Sequence, residues 1–183
     1  METTPPETAV MNLSPFDLTG TLHHDGRGGV TDDLATRSGF LAWAPPGTPE
    51  GLRDEVIDVR RAVRALFAYA TGREGSRADP SLSRAEAVAL LNHYASRERV
   101  TVHLDWPTSD AAPLLRLTGT TDLPAQLARS AVEFLAGPLR ERLRACPAPR
   151  CVRYFVQDHG RQAYCKASCA NRARAARHYA RNR

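Results

Sequence analysis

The chain has 183 residues, enough for one compact domain and a small appendage but too few for two ordinary domains. With 42% apolar and 25% charged residues it has the composition of a globular chain, which excludes a mainly disordered one. The net charge of +5 is unevenly divided: residues 1–139 carry 13 basic against 18 acidic side chains, residues 140–183 carry 12 against 2, and all four cysteines fall in the basic part. No run approaches the roughly 18 uncharged apolar residues of a membrane span, and no basic-then-apolar stretch opens the chain, so the expected compartment is the cytoplasm.

Residues 1–12 are polar and proline-bearing, and are expected to be a flexible N-terminus. Residues 16–22 read as a short strand, 23–29 (HHDGRGG) as a turn-rich loop, and 33–44 as a short helix ended by Pro45 and Pro46. A longer helix is predicted over 49–70, where Val56, Val59, Val63, Leu66, Phe67 and Ala70 form one apolar stripe and Arg60, Arg61 and Arg64 fall away from it. A third helix, over 84–96, opens with Ser83 and Glu86 in capping-box spacing and turns Ala87, Val88, Leu91 and Tyr94 inward. At 100–106 the period changes to two: Val100, Val102, Leu104 and Trp106 alternate with polar residues as in a half-buried strand, with a partner at 114–118. A long helix over 123–144, disturbed near Gly137 and Pro138, leads into the first cysteine. These elements predict an α+β body over 13–139 in which helices cover a small antiparallel sheet.

The cysteines are spaced Cys146-x4-Cys151, thirteen residues, then Cys165-x3-Cys169. Two close thiol pairs flanking a hairpin-sized insert suit tetrahedral zinc, and four protein ligands leave no open position for a substrate water, so the site is structural. His159 could replace one cysteine, although its place in a turn explains it equally well. Between the pairs, 152–156, a turn at 158–160, and 162–164 read as a β-hairpin. The terminal segment 170–182 reads as a helix with Cys169, Ala173, Ala176 and Ala180 on one side and Arg174, Arg177, His178 and Arg181 on another. Knuckle, hairpin and ligand-bearing helix make a small treble-clef-like zinc finger ending in a basic helix.

The stretch CPAPRCVRYFVQDHGRQAYCKASCANRARAARHYAR resembles the CGNR zinc finger, whose last cysteine is followed by Gly-Asn-Arg. Here Cys169-Ala170-Asn171-Arg172 stands in that place, which Ala tolerates if the position is helical. The resemblance implies a finger over 140–183 with Cys146, Cys151, Cys165 and Cys169 holding zinc. The order of elements in 13–140, including FDLTGTL, Leu41 to Trp43 and VTVHLDW, is similar to the ABATE domain, which implies a stress-induced transcription regulator.

The expected function is therefore zinc-dependent DNA binding by the finger, through Arg153, Arg161, Lys166, Arg172, Arg174, Arg177 and Arg181, while the body senses a signal or mediates association. Double-stranded DNA is the expected partner; structured RNA or an acidic protein, including another copy of the chain, are the alternatives. No membrane partner is expected. His23, His24 and Asp25 read as exposed loop, and His103 and Asp105 as the polar side of a strand, so no catalytic residue is assigned. Trp43, Phe67, Tyr94 and Trp106 read as core, with a ligand pocket as the alternative.

Overall fold

The computed structural model describes residues 13–73, 82–106, 108–110, 112, 114–120 and 122–182. The expected flexible segment 1–12 lies outside them. The first element differs from expectation: α1 (Pro15–Gly20) is a helix where a strand was predicted. The Ser14 hydroxyl accepts from Asp17 N at 3.2 Å and the Asp17 carboxylate accepts from Ser14 N at 3.0 Å, a reciprocal cap that starts a helix, and Pro15 is already set for the first turn.

β1 (Leu22–His24) and β2 (Val30–Asp32) then form an antiparallel hairpin with Leu22 opposite Asp32. Its loop is tied by the Asp25 carboxylate, which accepts from the backbone N–H groups of Arg27, Gly28 and Gly29 at 2.7, 3.0 and 2.9 Å. α2 (Arg37–Trp43), capped by Thr36, is shorter than the predicted 33–44. A 3-10 turn over Glu50–Leu52 leads into α3 (Arg53–Thr71), and Gly72, at φ 64°, ends it in the left-handed conformation glycine favours. α4 (Arg84–Ala95) carries the predicted capping box between Ser83 and Glu86. Ala87, Leu91 and Tyr94 are buried as expected, whereas Val88 is exposed.

β3 (Arg99–Asp105) and β4 (Leu114–Thr120) pair antiparallel, with Arg99 opposite Thr120 and Asp105 opposite Leu114. Leu104 and Trp106 are exposed, contrary to the half-buried strand predicted there. α5 (Leu123–Ala136), capped by Asp122, stops at Gly137, where a Cβ would sit 2.9 Å from Glu133 O. The predicted continuation to 144 is replaced by a 3-10 turn over Pro138–Arg142 and a strand, β5 (Leu143–Ala145). β6 (Tyr154–Val156) pairs back onto β5, with Leu143 opposite Val156, so the finger's hairpin partner lies before Cys146 and not at 162–164. α6 (Ala167–Arg181) closes the described chain.

The class is α+β, with the strands among the described residues in three two-stranded antiparallel sheets. The core forms where α3 packs against α1, α4 and α5: Leu18, Phe40, Val56, Val59, Val63 and Phe67 have no exposed surface. Phe67 meets the Phe16, Phe134 and Tyr154 rings at centroid distances of 5.4 to 5.5 Å. Tyr154 comes from β6, so the hairpin that carries the first cysteines is built onto the body's core. Phe67 and Tyr94 are core as expected and Trp43 packs partly buried against it; Trp106 is 58% exposed and is not core.

Two residues predicted to leave the apolar stripe of α3 are inside it: Arg60 and Arg64 are 4% and 1% exposed. Burial of a guanidinium is tolerable only when its N–H groups are met. Arg60 forks onto Asp32 at 2.6 and 2.7 Å and donates to Thr21 Oγ1 at 2.8 Å. Arg64 donates to the carbonyls of Thr19 at 3.1 Å and Val152 at 3.0 Å, and lies over the Tyr154 ring.

Candidate metal centre and basic helix

Four thiols converge where the β5–β6 hairpin meets the start of α6. Cys146 directly follows β5, and its N–H donates to Arg153 O at 3.0 Å. Cys151 closes a tight turn in which its N–H reaches Ala148 O at 3.0 Å and Arg150 takes φ 63°. Cys165 precedes α6, and Cys169 lies in its first turn with N–H to Lys166 O at 3.0 Å. Cys146, Cys151 and Cys169 are buried, Cys165 is partly buried, and no pair is joined as a disulfide.

All four sulfurs lie within 4.8 Å of one another. Cys151 and Cys165 are 3.8 Å apart, Cys165 and Cys169 3.6 Å, and Cys169 and Cys151 3.8 Å. Tetrahedral zinc with Zn–S bonds of about 2.3 Å requires sulfurs about 3.8 Å apart, so this donor set fits the ion. Hydrogen bonds among the thiols of Cys146, Cys151 and Cys165 pull the Cys151 thiol down to about 3 and push Cys165 up. A divalent cation would supply what this cluster needs, the charge that lets all four sulfurs be thiolates. His159 is exposed in its turn and stands outside the cluster.

Two arginines surround the thiols, and sequence reasoning identified neither role. Arg73, just beyond α3, donates to Cys146 O at 3.0 Å and also to Cys151 O. Arg172 sends Nη2 to Cys169 Sγ at 3.4 Å and is partly buried. The second contact was legible, since residues three apart on a helix share a face; the first joins positions 73 and 78 residues apart and has no local signal.

Of the seven residues expected at a nucleic acid, Arg161, Lys166, Arg174, Arg177 and Arg181 are exposed, while Arg153 and Arg172 are partly buried. Arg153 Nη1 lies against Gly20 of α1, close enough that a Cβ there would be 3.4 Å away. Arg174, Arg177, His178, Ala180 and Arg181 line an open concavity on the outer part of α6. Among the described residues none of Arg174, Arg177 and Arg181 pairs with a carboxylate; Arg174 reaches Asn171 Oδ1. Ala173 is buried as expected, but Ala176 and Ala180 are exposed, because no other element covers the outer turns of α6 among the described residues. Ala170 lies within α6, where alanine in place of glycine is favourable.

The remaining sequence candidates stay apart from the thiols. His23 Nε2 meets Asp33 Oδ1 at 2.9 Å, and Asp25 is committed to its loop, where the Arg27 N–H leads the hydrogen bonds that lower its pKa. His103 is exposed on β3. No helix among the described residues is long and apolar enough to cross a membrane.

Comparison with known proteins adds the family. Residues 142–182 match the CGNR zinc finger. Residues 15–138 match the ABATE family, described as a putative stress-induced transcription regulator. No curated protein matches the chain. Neither matching family is enzymatic. With a four-thiol zinc centre following the matched body, the chain belongs to the ABATE family and carries a CGNR zinc finger, an arrangement that fits a zinc-binding transcription regulator.

Proposed function

We propose that the protein binds double-stranded DNA through the outer turns of α6, which the zinc finger presents to solvent, and that the body senses a signal or mediates association. The observation that carries this reading is the open concavity lined by Arg174, Arg177, His178 and Arg181, with no carboxylate paired to those arginines among the described residues. Guanidinium groups in that setting match phosphate oxygens in shape and charge. Arg161 and Lys166 extend the same contact set, while Arg153 lies against Gly20 and Arg172 against Cys169.

The test is fluorescence anisotropy of the full chain with DNA and RNA duplexes over a salt series. The expected result is DNA binding that weakens steeply with salt, and a slope of log affinity against log salt that flattens by roughly 3 when Arg174, Arg177 and Arg181 are all changed to Ala. Equal binding by that triple variant would remove α6 from the interface, and preference for an RNA duplex would make the partner RNA.

A further inference from the structure

Four thiolates around a divalent cation leave two negative charges in excess, and three of the cysteines, Cys146, Cys151 and Cys169, are at most 3% exposed. Water is held away from most of that charge, and a buried charge without a counter-charge is costly. We propose that Arg172 is the counter-charge of the zinc centre: its guanidinium bonds the Cys169 sulfur, draws electron density from it, and so sets how tightly the chain retains zinc.

Arg172 follows Cys169 by three residues within α6, a spacing that puts both side chains on one face. Its Nη2 donates to Cys169 Sγ at 3.4 Å. Nε of the same guanidinium is buried and meets no acceptor among the described residues. Further along α6, Arg174 and Arg177 keep their side chains in water. Arg172 instead leaves Nε unbonded in order to reach the sulfur, which is favourable only where negative charge attracts it. Among the described residues no carboxylate pairs with Arg172, so its charge is available to the thiolates.

The other cations around the cluster act elsewhere. Arg73 donates to the carbonyls of Cys146 and Cys151, which fixes the backbone of the first ligand pair but stops short of the sulfurs. Arg153 sends Nη1 towards Gly20, and Arg150, Arg161 and Lys166 are exposed, where water weakens their field. Among the described residues, Arg172 is the cation bonded to a ligand sulfur. The inference rests on the four-thiol centre and not on the DNA reading, and it assigns Arg172 to the metal instead of to the nucleic acid.

Competition with a chelator at fixed pH under reducing conditions, on the full-length chain without DNA, measures zinc affinity. Arg172→Gln keeps an N–H donor and helix propensity but removes the charge, and should weaken zinc binding about tenfold or more. Arg172→Lys keeps the charge, and a single N–H···S contact does not need the guanidinium fork, so its affinity should stay within about threefold of wild type. Arg140→Gln removes an exposed charge from the turn before β5 and should also stay within about threefold. Wild-type affinity in Arg172→Gln, or equal losses in the Gln and Lys variants, would overturn the proposal, because charge would then not be what Arg172 supplies. So would an equal loss in Arg140→Gln, which would make net charge the cause. Cobalt(II) bound in place of zinc gives a readout that a merely structural residue would not move. The sulfur-to-cobalt charge-transfer band should fall in energy in Arg172→Gln, since a thiolate without its counter-charge gives up an electron more readily, and should keep its wild-type position in Arg172→Lys. A band unmoved in Arg172→Gln would overturn the proposal even if affinity fell.

Discussion

Helices α3 and α6 both carry arginines on successive turns and use them in opposite ways. Arg60 and Arg64 on α3 are enclosed and hold distant segments together, while Arg174, Arg177 and Arg181 on α6 stand in water. The spacing is similar; the supply of acceptors is not. Asp32, Thr21, Thr19 O and Val152 O converge on α3 and accept from its guanidinium groups, whereas the described residues bring no carboxylate to the outer turns of α6. An arginine's place on a helical wheel therefore does not decide its role, and a structural arginine is recognised by the acceptors gathered around it.

Metal removal should separate the two sets most sharply. Zinc binding in small fingers is worth on the order of 10 kcal/mol, and the cluster around Cys146, Cys151 and Cys169 has too little apolar surface of its own to replace that. Chelation, or Cys165→Ser, should release α6 and the loops between the cysteines. The helices around α3 should keep their far-ultraviolet signal, because their core is contiguous without the thiols. Two features limit the separation: Tyr154 packs on Phe67, and Arg64 and Arg73 hold finger carbonyls. The surviving body should therefore melt at a lower temperature than the holoprotein. Collapse of the whole circular dichroism spectrum would show that body and finger form one cooperative unit.

Single substitutions at the two helices give the next contrast. Arg64→Ala leaves the carbonyls of Thr19 and Val152 without that donor and opens a void beside Tyr154, so a loss of about 3 kcal/mol is expected in urea unfolding. Arg177→Ala removes an exposed side chain and should change stability by less than about 0.5 kcal/mol while weakening DNA binding. Comparable losses at the two positions would dissolve the distinction between them.

What the sequence made legible follows the range of each interaction. The apolar stripe of α3 from Val56 to Phe67, the Ser83 cap of α4, the change of period at Val100 and the cysteine spacing are local signals, and all reappear in the structure, although Ala70, read as the end of that stripe, is exposed. The cap at Ser14 was equally local; the reading of 16–22 as a strand passed over it, and Asp17 was the residue that identified it. Burial of Arg60 and Arg64 was not legible, because Asp32 and Val152 stand 28 and 88 residues away. The same holds for β6, whose partner β5 precedes Cys146 while the local pattern favoured the stretch after the turn. Exposure of Trp106 had no local signal either, since alternation reports which residues share a face and not whether anything covers it.

An effect smaller than that of Arg64→Ala, and the one most specific to buried arginine, belongs to Asp32. Burial raises its pKa, but the fork from Arg60, aided by the Leu34 N–H, outweighs this and holds the carboxyl below the usual range. A carboxyl lowered in the folded state adds stability that is fully present above its unfolded value of about 3.9 and is lost as pH falls through the folded value. Asp32→Asn should therefore cost about 2 kcal/mol at pH 7, where it strands the Arg60 charge, and the gap from wild type should hold to about pH 5 and close below about pH 4. Acid also strips zinc from thiolates, but in both proteins, so the difference between the two unfolding curves isolates the carboxylate. A gap unchanged in acid would mean that the fork acts through shape and hydrogen bonding alone, and Arg60 would then differ from the α6 arginines in packing but not in charge.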